Sequence, residues 1–164
     1  MTRSIRLRPW QKAALEKFEA SGASDFLTVA TPGAGKTTFA LTAARQVLAV
    51  HPRRRLVIVA PTAHLKTQWA RAAARFALHL DPEWSASAGR LPSDMHGIVT
   101  TYQQVASSSS VLAELAADAF VIFDEIHHAG DDRAWGQSVL EAFGRSPGRL
   151  ALSGTPFRSD TRAI

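Results

Sequence analysis

The 164-residue chain has 46% hydrophobic and 20% charged residues and a formal net charge of +5, a balance that excludes a disordered or fibrous protein. Its length suits one domain that buries about 70% of the surface its unfolded form would expose. The lack of cysteine excludes disulfides, thiolate zinc sites and cysteine nucleophiles, and no apolar run approaches the ~20 residues that cross a bilayer, so a cytoplasmic protein with no membrane partner is expected.

The charge is unevenly spread. Residues 1–80 hold 13 Lys/Arg against 3 Asp/Glu, and residues 81–164 hold 6 against 11, so the halves carry +10 and −5. A basic half suits a polyanion such as nucleic acid, and an acidic half suits a metal ion. Arg53, Arg54 and Arg55 by themselves read as a solvated turn.

In chain order, the start MTRSIRLRPW has no apolar core for a signal peptide, and a first helix is expected over roughly 8–20, stopping near Ser21 and Gly22. FLTVA (26–30) reads as a strand buried on both faces. The small-residue run ATPGAGKTT and the helical TTFALTAARQVLAV follow it. LVIVA (56–60) is the second strand, followed by Pro61, Thr62 and the helical HLKTQWARAAARFAL. Residues 81–96, with Pro82, Gly89 and Pro92, read as an irregular excursion before the strand GIVTTY (97–102). Ser107 to Ser110 suggest a flexible turn before another short helix, and FVIFD (120–124) and RLALSGT (149–155) complete the strands. Alternating strands and helices predict an α/β fold, an open and mainly parallel sheet with helices on both faces.

Gly35, Lys36 and Thr37 fill the last three fixed positions of the phosphate-loop pattern, with Ala30 in the place of its first glycine. The loop lies between a strand and a helix start, where free backbone N–H groups and the helix dipole favour an anion. Thr31, Pro32, Gly33, Ala34, Gly35, Lys36, Thr37 and Thr38 are the expected cradle of a nucleoside triphosphate. Lys36 reaches the terminal phosphates and the Thr37 hydroxyl ligates Mg²⁺.

The second constellation is FVIFDEIHH (120–128). An apolar strand delivers Asp124 and Glu125 at its carboxyl end, the edge at which open α/β sheets bind ligands. Asp124 is expected to hold the metal and Glu125 to polarise a water, so Lys36, Asp124 and Glu125 form the expected catalytic set. His127 and His128 do not suggest a metal site, because neighbouring residues point different ways and no third ligand follows at suitable spacing.

The ordered set ATPGAGKTT, APTAHLKTQW, IVTTYQQV, DEIHH and LSGTPFR resembles the first RecA-like motor domain of superfamily 2 helicases with DExH boxes, closest to the type III restriction enzyme motor subunits. It covers about Arg8 to Arg158. Members of that group commonly carry alanine or serine where the generic loop has its first glycine, which accounts for Ala30. The resemblance implies an ATP-hydrolysing helicase or translocase domain using ATP and Mg²⁺. Arg8 and Gln11 would sit at the adenine edge. Pro61, Thr62, Thr100, Thr101 and Tyr102 would lie on the backbone of a nucleic acid, DNA in preference to RNA, without reading bases. His127, Ser153, Gly154 and Thr155 would couple nucleotide state to domain movement. Trp10, Trp69, Trp84 and Trp135 show no stripe of stacking platforms and are expected mostly in packing.

In that family a second RecA-like domain supplies arginines to the transferring phosphate, an effect of roughly 10³ to 10⁵ in rate. Residues 1–164 read as a single ATP-binding domain without that second half, which is expected in cis in a longer protein or in trans. Arg158 and Arg162 have no spacing that marks them as its substitute. The alternatives are a nucleotide and nucleic-acid binding module without useful turnover, or a phosphate-loop ATPase acting elsewhere.

Overall fold

The computed structural model describes residues 5–29, 35–88, 91, 93–127 and 133–154. In chain order the elements are α1 (Pro9–Ser21), β1 (Asp25–Val29), α2 (Lys36–Val50), β2 (Arg55–Ala60), α3 (Ala63–Ala74), β3 (Leu80–Asp81) and β4 (Gly97–Thr101). Then come α4 (Tyr102–Leu115), a 3₁₀ turn (Ala116–Asp118), β5 (Ala119–Phe123), α5 (Arg133–Phe143) and β6 (Gly148–Ser153). Every strand pairing is parallel, and the sheet order is β1-β6-β5-β2-β4-β3.

The central strands read as continuous apolar runs because both of their faces are covered. Leu56, Ile58 and Ala60 of β2 pack with α1, α2 and α3 through Leu15, Phe39 and Trp69, whereas Val57 and Val59 pack with α4 and α5 through Val105, Leu112 and Phe143. Each such fully buried aliphatic side chain contributes about 1.5–3 kcal/mol relative to exposure.

β1 departs from the expectation of a strand buried on both faces. It is an edge strand with a mixed burial pattern, and Leu27 and Val29 remain 49% and 46% exposed. α1 ends as the sequence suggests, at Gly22 in the left-handed region (φ 61°). The serine run also differs from the expected flexible turn. α4 continues through it as a helical run bent at Ser108 (φ −137°, ψ 31°), and the Ser107 hydroxyl donates to the Gln104 carbonyl. Such back-bonding competes with the helical ladder, which accounts for a bend here.

The excursion between β3 and β4 is pinned at Trp84, which is 2% exposed in the second core and whose carbonyl accepts the Gln104 side-chain N–H. Among the described residues no helix is long and apolar enough to cross a membrane.

Candidate nucleotide site

β6 is the last strand among the described residues but lies between β1, which leads towards Lys36, and β5, which leads directly into Asp124 and Glu125. With Val29 level with Ser153, and Phe123 level with Ala151, the carboxyl ends of three strands converge at one edge of the sheet.

α2 begins at Lys36 after Gly35, whose φ of 91° favours glycine, and no side chain caps this helix start. Its first N–H groups are therefore left for an external anion. Lys36 Nζ donates to Glu125 Oε1 at 2.8 Å, with side chains only 13% and 26% exposed. The Gly154 N–H donates to Glu125 Oε2 at 3.3 Å, and His127 Nδ1 lies 3.4 Å from the same oxygen. Glu125 itself is in the left-handed region (φ 49°), uncommon for a residue with a side chain.

The adjacent carboxylates are pushed in opposite directions. Burial raises the pKa of Asp124, and the negative charge of Glu125 adds to this against the bond from Trp69. Burial also works against ionisation of Glu125, but the Lys36 and Gly154 hydrogen bonds and the charges of Lys36 and His127 outweigh it, holding the carboxyl below its ordinary range. Asp124 is held from both faces of the sheet. The Trp69 indole N–H on α3 donates to Oδ2 at 3.0 Å, and the Tyr102 hydroxyl on α4 donates to the backbone carbonyl at 2.8 Å.

Thr37 and Asp124 line one cavity of about 290 Å³ with Gln68, Trp69 and Arg75. A hydroxyl and a carboxylate are hard oxygen donors of the kind magnesium takes, so the residues present fit that ion. The approach is also shaped for close contact, because a side-chain carbon at Gly154 would fall 2.7 Å from Glu125 Oε1 and 2.8 Å from Lys36 Nζ.

Among the expected site residues, Lys36, Glu125, His127 and Gly154 are brought together, and Ser153 is fully buried at the end of β6 beside them. Gln11 is 2% exposed and its amide is already engaged. Oε1 accepts from Arg8 N, and Nε2 donates to the Gly35 carbonyl at 2.8 Å, so an adenine edge would compete with a brace on the loop. The Thr38 carbonyl accepts from the Thr42 hydroxyl within α2. Ala30, Thr31, Pro32, Gly33, Ala34, His128, Thr155, Arg158 and Arg162 lie outside the described residues.

The expected nucleic-acid residues lie at the ends of the paired strands β2 and β4. Pro61 is partly exposed and Thr62 exposed, and Thr62 Oγ1 caps α3 by accepting from Leu65 N. Thr101 Oγ1 caps α4 by accepting from Gln104 N. Thr100 and Tyr102 are fully buried. Thr100 donates to Gln104 and Tyr102 to Asp124, so neither faces solvent in this conformation. The physical reason is that α4 starts directly on the end of β4, with no loop to turn these side chains outwards.

The residues missed by sequence reasoning are Trp69, whose core-like position on α3 hides a polar contact, and Gln104. Gln104 joins Lys66, Thr100 and Trp84 in one hydrogen-bonded knot.

The sequence matches the family of the type III restriction enzyme, res subunit, over residues 4–158. The chain belongs to that family. Curated relatives include the uncharacterized protein Rv2917 of Mycobacterium tuberculosis, 48% identical over 160 residues, covering 96% of this chain and 27% of that protein. The DNA 3'-5' translocase XPB2 of Sulfurisphaera tokodaii is 33% identical over 161 residues, covering 95% of this chain and 32% of that one. The res-family chain thus spans about a quarter to a third of these relatives.

Among solved structures, the Sulfolobus solfataricus SWI2/SNF2 ATPase core in complex with dsDNA superposes with a TM-score of 0.76 at 22% identity, covering 98% of this chain and 34% of that one. The UvsW helicase of bacteriophage T4 gives 0.71 at 19% identity, covering 93% and 54%. The fold is therefore that of a RecA-like helicase motor domain, as the ordered motifs imply.

Proposed function

We propose that this res-family domain binds Mg-ATP at the edge formed by β1, β6 and β5 and is the ATP-hydrolysing half of a nucleic-acid-dependent translocase, acting on DNA in preference to RNA. The observation that carries the reading is Lys36 bonded to Glu125 at 2.8 Å across elements 89 residues apart, with the Gly154 N–H on the other carboxylate oxygen. A structural turn has no need of a half-buried lysine, a carboxylate in the left-handed region and a close-fitting glycine at one point. The basic first half of the chain suits either nucleic acid, and the DNA preference is supported by a relative named as a DNA translocase.

Lys36 and the uncapped start of α2 bind the phosphates, Thr37 and Asp124 hold the cation, and Glu125 orients a water and receives its proton. Thr37 and Asp124 would hold a magnesium ion there, which would supply positive charge against the phosphates. Seating of phosphate on Lys36 releases Glu125 from its ion pair, so substrate binding frees the base that acts on it. The nucleic acid backbone lies along the end of β2 at Pro61 and Thr62, which reach solvent, giving salt-sensitive and sequence-independent binding.

The test is the steady-state ATPase rate of the purified chain with and without single-stranded and duplex DNA and RNA, beside titration of a fluorescent ATP analogue. Binding that Lys36→Ala abolishes, with slow turnover, supports an ATP-binding half that needs a second domain. Brisk nucleic-acid-stimulated turnover by the monomer overturns the incompleteness, and no nucleotide binding overturns the site.

A further inference from the structure

Asp124 is the first residue beyond β5, and a carboxylate there has a free rotation about its last torsion unless something fixes it. Trp69 Nε1 donates to its Oδ2 at 3.0 Å from the neighbouring layer of helices. Two features make this contact more than incidental packing.

First, the donor is rigidly placed. β2 pairs with β5, with Val59 level with Phe123, and α3 starts three residues after β2 under the Thr62 cap. α3 is therefore carried across the end of β5. Trp69 is 5% exposed and packs in the core that includes Leu41, Ala72 and Ile122, so its ring has little freedom to turn away.

Second, satisfaction of a buried indole is not automatic in this fold. Trp84 is buried equally well, and its Nε1 has no hydrogen-bond partner. Of the two, only the tryptophan beside the site carries its N–H to a carboxylate, and it shares the cavity of about 290 Å³ with Thr37 and Asp124.

We propose that Trp69 is a positioning residue for the metal-holding carboxylate: its indole N–H fixes the plane of Asp124 so that the remaining lone pairs are presented towards Thr37 and a divalent cation. The proposal rests on Asp124 as the magnesium ligand. Outer partners of this kind typically tune metal affinity by roughly 10- to 100-fold. Trp69 touches neither phosphate nor metal; it acts through Asp124, while Tyr102 holds the backbone of the same residue from the opposite face.

The test uses the purified chain, a fluorescent ADP analogue and a Mg²⁺ series. Trp69→Phe keeps an aromatic ring in the core and removes the N–H. It is expected to raise the Mg²⁺ concentration for half-maximal nucleotide binding by about 10-fold or more, within the range that outer partners give. Nucleotide affinity in EDTA should change less than twofold. A merely structural role would weaken both together or neither.

If the unsubstituted chain needs Mg²⁺ and Trp69→Phe has the same requirement, the Trp69 proposal is overturned and the reading of Asp124 stands. If the unsubstituted chain binds nucleotide with no metal dependence, the reading of Asp124 falls and takes the proposal with it. Should Trp69→Phe fail to fold, ¹⁵N spectra of the four tryptophan indoles decide. One resonance must move both on addition of Mg²⁺ with ADP and in Asp124→Asn, and no such resonance overturns the proposal.

Discussion

The ends of β1, β6 and β5 and the ends of β2 and β4 lie along the same edge of one sheet, yet they are built on different principles. At the first, each functional group is held by a residue far away in sequence: Lys36 by Glu125, Glu125 by Gly154, Asp124 by Trp69. At the second, Thr62 and Thr101 accept from N–H groups three residues along their own helices. The nucleotide end exists only when the whole sheet is assembled, whereas the two caps at the other end are each made within one helix. Substitutions at the first should therefore disturb chemistry through several partners at once, and substitutions of the two caps should act locally and additively.

The largest expected effect comes from Glu125→Gln, which retains nucleotide binding and lowers residual hydrolysis by about 10² to 10⁴-fold, the usual worth of a positioned base. Single-turnover measurements with radiolabelled ATP check it, and unchanged turnover would remove Glu125 from its role. Gly154→Ala comes next. Its added carbon meets the Lys36–Glu125 pair at 2.7–2.8 Å, so a loss of about 1–3 kcal/mol is expected together with slower hydrolysis. Chemical denaturation beside the rate assay checks both, and a stable, fully active variant would show that the two ends of the edge do not differ as described.

Thr62→Ala and Thr101→Ala should each cost about 1 kcal/mol through a lost cap and should add in the double variant, with nucleotide affinity unchanged. Melting curves and the nucleotide titration would show it, and coupling between the two would break the local picture.

The smallest effect is in pH. The folded pKa of Glu125 is lowered from 4.5, so its stabilising contribution is present above that value and is lost as pH falls through the lower folded value. Asp124 has the opposite sign, because burial raises its folded value above 3.8 and its cost is relieved on acidification. The melting temperature of the unsubstituted chain should therefore fall more steeply below pH 4.5 than that of Glu125→Gln.

The same contrast explains what the sequence discloses. The start of α2 is legible at Gly35 and Lys36, and the carboxylate pair at Asp124 and Glu125, because loop chemistry and an apolar run are local signals. The five expected strands are legible within a residue or two for the same reason, whereas the two-residue β3 (Leu80–Asp81) is not. The insertion of β6 between β1 and β5 is not, since strand order is decided by packing across more than a hundred residues. Trp69 gives the same signal as any core aromatic on a helix, and only the tertiary fold turns its N–H to Asp124. Tyr102 illustrates the converse. The TTYQ run resembles a phosphate contact, but a helix that begins without a loop buries the ring and directs the hydroxyl to Asp124. α5 also carries a local signal, in Trp135, Val139 and Phe143 recurring every four residues.

The central place of β6 also sets an order of assembly during synthesis. A chain emerging amino end first can dock β2, β4 and β5 early, since these strands neighbour one another without β6. β1 has no partner among them and stays unpaired until residues 148–153 arrive, when Arg149 closes onto Asp25 across 124 positions. Pairing over such a separation is slow, and an open strand edge in the meantime is a site of misassociation on the ribosome. The late strand that completes the sheet is thus also the one that completes the site, so a nascent chain acquires its nucleotide-binding edge at the moment its fold closes.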